Sequence, residues 1–233
     1  MKHLLRYFTK TEWILWLSSV ALILVCFALF DRSGYLTLTA SLIGVTSLIF
    51  NAKGNPIGQV LMIFFSVLYG IISYSFAYYG EMITYLGMTG PMAAVALISW
   101  LTHPYKGNRA QVAVGRMTGK DVTVMLLVTA AVTAVFYFIL AYFHTANLIP
   151  GTVSVTTSFA AAWLTYKRNP WFALAYAAND VVLILLWVLA SLQDPAYVSV
   201  ALCFAVFLVN DLYGFVNWRK ILATQEQKNS ENP

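Results

Sequence analysis

The stretches KGNPIGQVLMIFFSVLYGIISY (53–74) and KRNPWFALAYAANDVVLILLW (167–187) decide how this chain folds. Each opens on a basic residue and an Asn-Pro pair, then runs apolar for about 20 residues, the length an α-helix needs to cross the hydrocarbon of a bilayer. Pro56 and Pro170 fall in a first helical turn, where a missing N–H is no loss. The rest of the chain agrees with them. Of its 233 residues, 60% are hydrophobic and 10% charged, whereas soluble domains carry about 25% charged residues. So little charge cannot cover a water-facing surface, which excludes soluble enzymes and makes the lipid bilayer the solvent.

Outward from the two stretches, apolar runs bounded by turn or charge signals predict eight helices, at 13–30, 35–50, 56–78, 82–101, 122–143, 152–166, 170–191 and 196–218. The fold class is therefore an all-α integral membrane protein with eight transmembrane helices. Gly90-Pro91 falls inside the fourth span and should kink or break it. The first span follows Lys2, Arg6 and Lys10 and lacks a small-residue cleavage pattern, so it reads as a retained helix, not a signal peptide. With this topology, thirteen of the fourteen basic residues fall on the side of the N-terminus, and Arg32 alone on the other. By the positive-inside rule both termini are cytoplasmic. The spread of these residues over five segments disposes of nucleic acid as a partner for the +5 charge. Asp31, Glu81 and Asp194 decorate the opposite side, where Tyr78, Tyr79 and Tyr85 suit an interfacial belt. Cys26 and Cys203 sit in apolar runs and read as small hydrophobes.

The K-x-N-P turn recurs at an offset of 114, at Lys53–Pro56 and Lys167–Pro170, and each three-helix unit closes on a tryptophan, Trp100 or Trp218. This divides the chain into an N-terminal helix (1–34), a first three-helix repeat (35–101), a basic loop with a linker helix (102–151), a second repeat (152–218) and a tail (219–233). A single crossing linker makes the two 3+1+3 units parallel, with a site expected between them.

Acidic residues at membrane depth cost roughly 2.5–3.5 kcal/mol each on insertion scales and call for a compensating interaction. Two occur, in the same dipeptide: Asn179-Asp180 and Asn210-Asp211. Helical spacing puts Phe172, Tyr176, Asp180, Leu183 and Trp187 on one stripe with Asn179 at its edge. Asn210 and Tyr213 share one face of the last span, and Phe204, Asp211 and Trp218 another. Under the 114-residue shift, Asp180 and Trp187 map onto Ser66 and Ser73, which form a polar stripe with Gln59 on the third span, flanked by Tyr69 and Tyr74. The two stripes are expected to line one cavity. The alternative for Gln59 and the serines is hydrogen-bonded packing between helices, and for Asp180 and Asp211 it is a structural role, with Asp211 capping or pairing with Trp218 or Arg219 at the cytoplasmic edge. An indole beside a carboxylate suits a flat ligand that is cationic or bears hydroxyls. No nucleophile, acid–base or metal constellation is present in the sequence, so no catalytic residue, metal or cofactor is expected.

The stretches NPIGQVLMIFFSVLYGIISY, GEMITYLGMTGPMA, YAANDVVLILLW and CFAVFLVNDLYGFVNW resemble the PnuC family of bacterial vitamin transporters, nearest its nicotinamide riboside branch, over about 35 to 220. Where one form of the family pattern has W-x-x-W before the buried Asp, this chain reads Ala173 and Tyr176. The resemblance implies a fold like the full-length SWEET sugar transporters, a homotrimer, and a place in the bacterial inner membrane. It also implies facilitated diffusion of nicotinamide riboside, trapped inside the cell by a nicotinamide riboside kinase. Trp187 would then stack on the nicotinamide ring, while Asn179, Asp180 and Asn210 bind its ribose or carboxamide. Gln59 and Ser66 would complete the opposite wall, Tyr213 would gate or orient, and Tyr69, Tyr176 and Asp211 would line the site. Thiamine or riboflavin is the alternative substrate. A non-transporting membrane receptor or scaffold is the alternative class.

Overall fold

Apolar runs become helices here because in hydrocarbon every backbone N–H and C=O must find its partner within the chain. The computed structural model describes residues 7–30, 32–75, 79–145, 147–193 and 195–231. Lys2, His3, Arg6, Asp31, Tyr78 and Asp194 lie outside them. The helices are α1 (Lys10–Phe30), α2 (Tyr35–Ala52), α3 (Ile57–Ser75), α4 (Tyr79–Thr84) and α5 (Gly90–Thr102), then α6 (Gly119–Tyr142), α7 (Leu148–Tyr166), α8 (Trp171–Ser191) and α9 (Val198–Glu231). A π-helical turn, Tyr85–Thr89, joins α4 to α5, and Tyr79–Thr102 acts as one span. Among the described residues seven segments are long and apolar enough to cross a membrane; α7, with 19 residues, matches them in length but carries a run of Ser and Thr.

Two segments depart from the expected outline. The break expected at Gly90-Pro91 is a widened turn placed just before it: the N–H of Gly90 reaches back five residues to Tyr85 O, which accommodates the donor that Pro91 lacks. The tail, expected to leave the helix at residue 218, instead continues α9 to Glu231, for 34 residues or about 50 Å. Its outer part covers a β-hairpin folded from the basic loop, β1 (Pro104–Tyr105) and β2 (Asn108–Val112), which turns through Lys106 and Gly107 at positive φ. Gln225 is buried against this hairpin; its Nε2 donates to Val112 O at 3.0 Å and its Oε1 accepts from Val114 N at 2.9 Å.

The two Asn-Pro turns are built alike. Gly54 and Arg168 are both left-handed, at φ 67° and 56°. Asn55 Oδ1 accepts from Ile57 N at 2.9 Å and Asn169 Oδ1 from Trp171 N at 3.1 Å. The hairpin loop binds both turns, through Val112 N to Gly54 O (2.9 Å) and Gly115 N to Arg168 O (3.0 Å). The tryptophans cross over. Trp218 Nε1 donates to Asn51 O at 2.7 Å and Trp100 Nε1 to Thr165 O at 2.9 Å. Beside them Asn217 Nδ2 donates to Ala52 O and Ser99 Oγ to Tyr166 O, both at 2.8 Å.

The correspondence extends to α1 and α6. Each begins with a capping box, Thr9 with Glu12 and Thr118 with Asp121. Each acid then pairs with a turn lysine, Glu12 with Lys53 at 3.0 Å and Asp121 with Lys167 at 2.8 Å. The two pairs differ in burial, and that sets a testable contrast. Glu12 is 1% exposed, so Lys53→Met would strand a buried carboxylate and should lower stability by about 3–5 kcal/mol, with Glu12→Gln in the same chain restoring most of it. The Lys167 pair is about 30% exposed on each side, and Lys167→Met should cost under about 1 kcal/mol. Thermal unfolding of the purified protein in detergent reads both.

Candidate functional site

Between α8 and α9 the chain forms a chamber at membrane depth, and the side chains that line it come from six spans. The α8 stripe supplies Phe172, Tyr176, Asn179, Asp180 and Leu183, and α9 supplies Phe204, Phe207 and Asp211. Leu48 and Asn51 come from α2, Met62 and Phe65 from α3, Ser154 and Ser158 from α7. The fourth span adds Glu81, Thr84, Tyr85 and Thr89. The carboxyls of Asp180 and Asp211 are close enough to interact, and the Tyr176 hydroxyl lies near Asp211. Asp180 Oδ2 is buried without a hydrogen-bond partner. Asn179 is anchored at one end, its Oδ1 accepting from Thr157 Oγ1 at 2.8 Å and Ser154 Oγ at 3.2 Å.

Among the described residues three acids line this chamber and no Lys, Arg or His does. It can therefore hold a cation or a donor-rich solute and will repel an anion. Its free space is about 60 Å³, enough for a few waters. Ligand pockets occupy about 300–1,000 Å³. The walls must part before a solute larger than water can enter.

Below the chamber, toward the hairpin, the floor is aromatic. Trp100 and Trp218 pack at 5.4 Å between ring centroids, and Phe172 meets Trp218 edge-on at 5.0 Å. At the opposite end lies a separate mouth lined by Glu81, Thr145, Asn147, Leu186, Trp187, Ala190 and Gln193. Glu81 lines both spaces.

The residues singled out from the sequence fall into three groups. Tyr176, Asn179, Asp180 and Asp211 line the chamber together. Trp187 lies on the same helix stripe but in the mouth, tilted against Tyr197 at 5.5 Å. Gln59, Ser66, Tyr69, Asn210 and Tyr213 lie outside the lining. Gln59 Nε2 donates to Asn51 Oδ1 at 2.8 Å and so supports a residue that does line it. Ser66 Oγ donates to Met62 O of its own helix, and its Cβ faces Gly90 of α5. Tyr69 is buried among Phe65, Tyr85 and Phe204. Asn210 Nδ2 donates to Ser19 Oγ of α1 at 3.0 Å and to Val206 O. Tyr213 lies beside Thr9 and Glu12, also at α1. The third span thus contributes Met62 and Phe65 to the chamber in place of the expected amide-and-hydroxyl stripe.

Two expectations are corrected outright. Glu81 does not decorate the outer surface, and Tyr85 is not part of an interfacial belt: it is 7% exposed and faces the chamber. The signal lay in the spacing Glu81–Thr84–Tyr85–Met88, one face of a helix. Ser154, Ser158 and Asn51 carried no comparable signal.

Residues 34–220 match the family described as nicotinamide mononucleotide transporter. The chain is 26% identical over 200 residues to the nicotinamide riboside transporter PnuC of Neisseria mucosa, covering 83% of this chain and 75% of that one. The protein of the same name from Haemophilus influenzae is 22% identical over 191 residues, 81% and 80% of the two chains. The crystal structure of the vitamin B3 transporter PnuC superposes with a TM-score of 0.80 over 94% of each chain at 23% identity, so the fold is shared. A membrane-spanning helical chain with this fold and an acid-lined chamber, matched over most of its length, belongs to the nicotinamide mononucleotide transporter family.

Proposed function

We propose that this chain carries nicotinamide riboside across the membrane as a passive uniporter, with its basic face toward the cytoplasm. The observation that carries the choice of substrate is the acidity of the chamber: Glu81, Asp180 and Asp211 line it and, among the described residues, no basic residue does. The family description names a mononucleotide and the two relatives a riboside. These differ by a phosphate, which brings about −1.5 to −2 charges at neutral pH. The riboside carries a cationic pyridinium ring and hydroxyl donors, which these acidic side chains favour. The phosphate is what they exclude. Asp180, Asp211 and Asn179 would bind the ribose hydroxyls and carboxamide, and Tyr176 would wall the ring. The same charge supports trapping by phosphorylation, since a phosphorylated product would be repelled from the chamber on its way back.

The thirteen-to-one division of basic residues supports the orientation. The reciprocal tryptophan bonds and the paired capping boxes support two parallel halves related by an axis along the membrane normal. In that arrangement α1 is the counterpart of α6, so each half has four helices, in place of three repeated helices with an N-terminal appendage.

Proteoliposomes loaded with buffer alone should take up labelled nicotinamide riboside until inside and outside concentrations are equal, without a proton or sodium gradient. Unlabelled mononucleotide should not compete. Uptake that requires an ion gradient would remove the uniport mechanism. Uptake of labelled thiamine, with no riboside uptake, would assign the chamber to that other cationic vitamin.

A further inference from the structure

We propose that the mouth between α4, the start of α7 and the end of α8 is a second binding station, for an aromatic cation, and that Glu81 is the charge-selecting residue that passes the ring from mouth to chamber. This rests on the transport of a cationic riboside proposed above. Glu81 lines both spaces, so a cation leaving one for the other remains beside the same carboxylate. Among the described residues Glu81 has no ion-pair partner, and no basic residue lines the mouth. Trp187 forms part of the same wall. An indole face and a carboxylate together attract a pyridinium by cation–π and Coulombic forces, and neither attracts its neutral counterpart as strongly.

The two stations are distinct in depth. Trp187 is seven residues beyond Asp180 on α8, about 10 Å along the axis. That exceeds the width of one six-membered ring, so a ring against Trp187 is not against Asp180. Thr145, Asn147 and Gln193 give the mouth polar groups for a carboxamide.

The test uses the N-methylnicotinamide cation, which has the charged ring and no ribose, titrated into the purified full chain while tryptophan fluorescence is read. Saturable quenching is expected. Trp187→Phe should abolish the saturable part, Glu81→Gln should weaken its affinity about tenfold, Glu81→Asp should retain most of it, and neutral nicotinamide should not produce it. Quenching that does not saturate, or that is equal in Glu81→Gln and the parent, overturns the proposal. The outcome is separable from the transport function: loss of riboside uptake with intact quenching defeats only the latter, and uptake without saturable quenching defeats only the second station.

Discussion

Asp180→Asn and Asp211→Asn should each lower riboside uptake by roughly tenfold to a hundredfold, and neither should lower thermal stability. A hydrogen bond to a charged group contributes about 1.5–3 kcal/mol, and each 1.4 kcal/mol or so is a factor of ten in binding. The sign of the stability effect separates function from packing. A carboxylate kept for structure at membrane depth would be offset by a base, yet Asp180 faces Asp211, and among the described residues no base lines the chamber and Asp180 Oδ2 has no hydrogen-bond partner. Burying two facing acidic side chains without a base costs folding free energy, so the asparagine variants should be as stable as the parent or more so. Uptake in proteoliposomes, normalised to folded protein, and unfolding in detergent measure the two quantities. Unchanged uptake with a clear fall in stability would make the acids structural.

Periodicity and depth account for what could be read in the sequence. Spacing along α8 put Phe172, Tyr176, Asp180, Leu183 and Trp187 on one face, and all but Trp187 line the chamber. Spacing specifies the face, but only position along the axis specifies the depth, and seven residues carry Trp187 into the mouth. In α9 the 100° step between Asn210 and Asp211 separates a side chain bonded to α1 from one that lines the chamber. Both are buried polar residues in one dipeptide, and only the packed neighbour tells them apart. Gln59 and Ser66 illustrate the same limit, since an amide or hydroxyl in a membrane helix bonds whatever lies beside it. Glu81 and Tyr85 were obscured by a different cause. They sit near a helix end, where aromatic and acidic residues ordinarily face the interface, and the π turn at 85–89 lies outside any hydropathy pattern. The kinship of α1 with α6 was legible in principle, as Thr-x-x-Glu at 9–12 and Thr-x-x-Asp at 118–121. Its meaning appears only when each acid is seen to hold the lysine of a neighbouring turn.

The floor of the chamber should be the most sensitive part of the fold. Trp218→Ala is expected to cost about 3–5 kcal/mol, a large share of the roughly 5–15 kcal/mol that holds a typical domain together. Trp218 is 0% exposed, is packed against Trp100 and Phe172, and donates Nε1 to Asn51 O at 2.7 Å. That one side chain joins the last helix to the first Asn-Pro turn. Trp218→Phe separates the contributions: it keeps most of the aromatic packing and removes the indole bond to the carbonyl of Asn51, which still accepts from Gly54 N at 2.9 Å, at about 0.5–1.5 kcal/mol. Trp100→Phe should fall in the same range, because Trp100 makes the equivalent bond to Thr165 O across the other half. Trp171→Ala is the control. It lies only four residues beyond Lys167, but it is 50% exposed and, among the described residues, its ring meets only that of Phe215, so the loss should stay within about 1 kcal/mol. Unfolding of the four variants in one detergent should show the largest loss for Trp218→Ala, with the two phenylalanine variants equal to each other and well below it, and Trp171→Ala no more costly than they are. A Trp218→Phe variant as stable as the parent would mean that packing alone, without the reciprocal hydrogen bonds, holds the halves together.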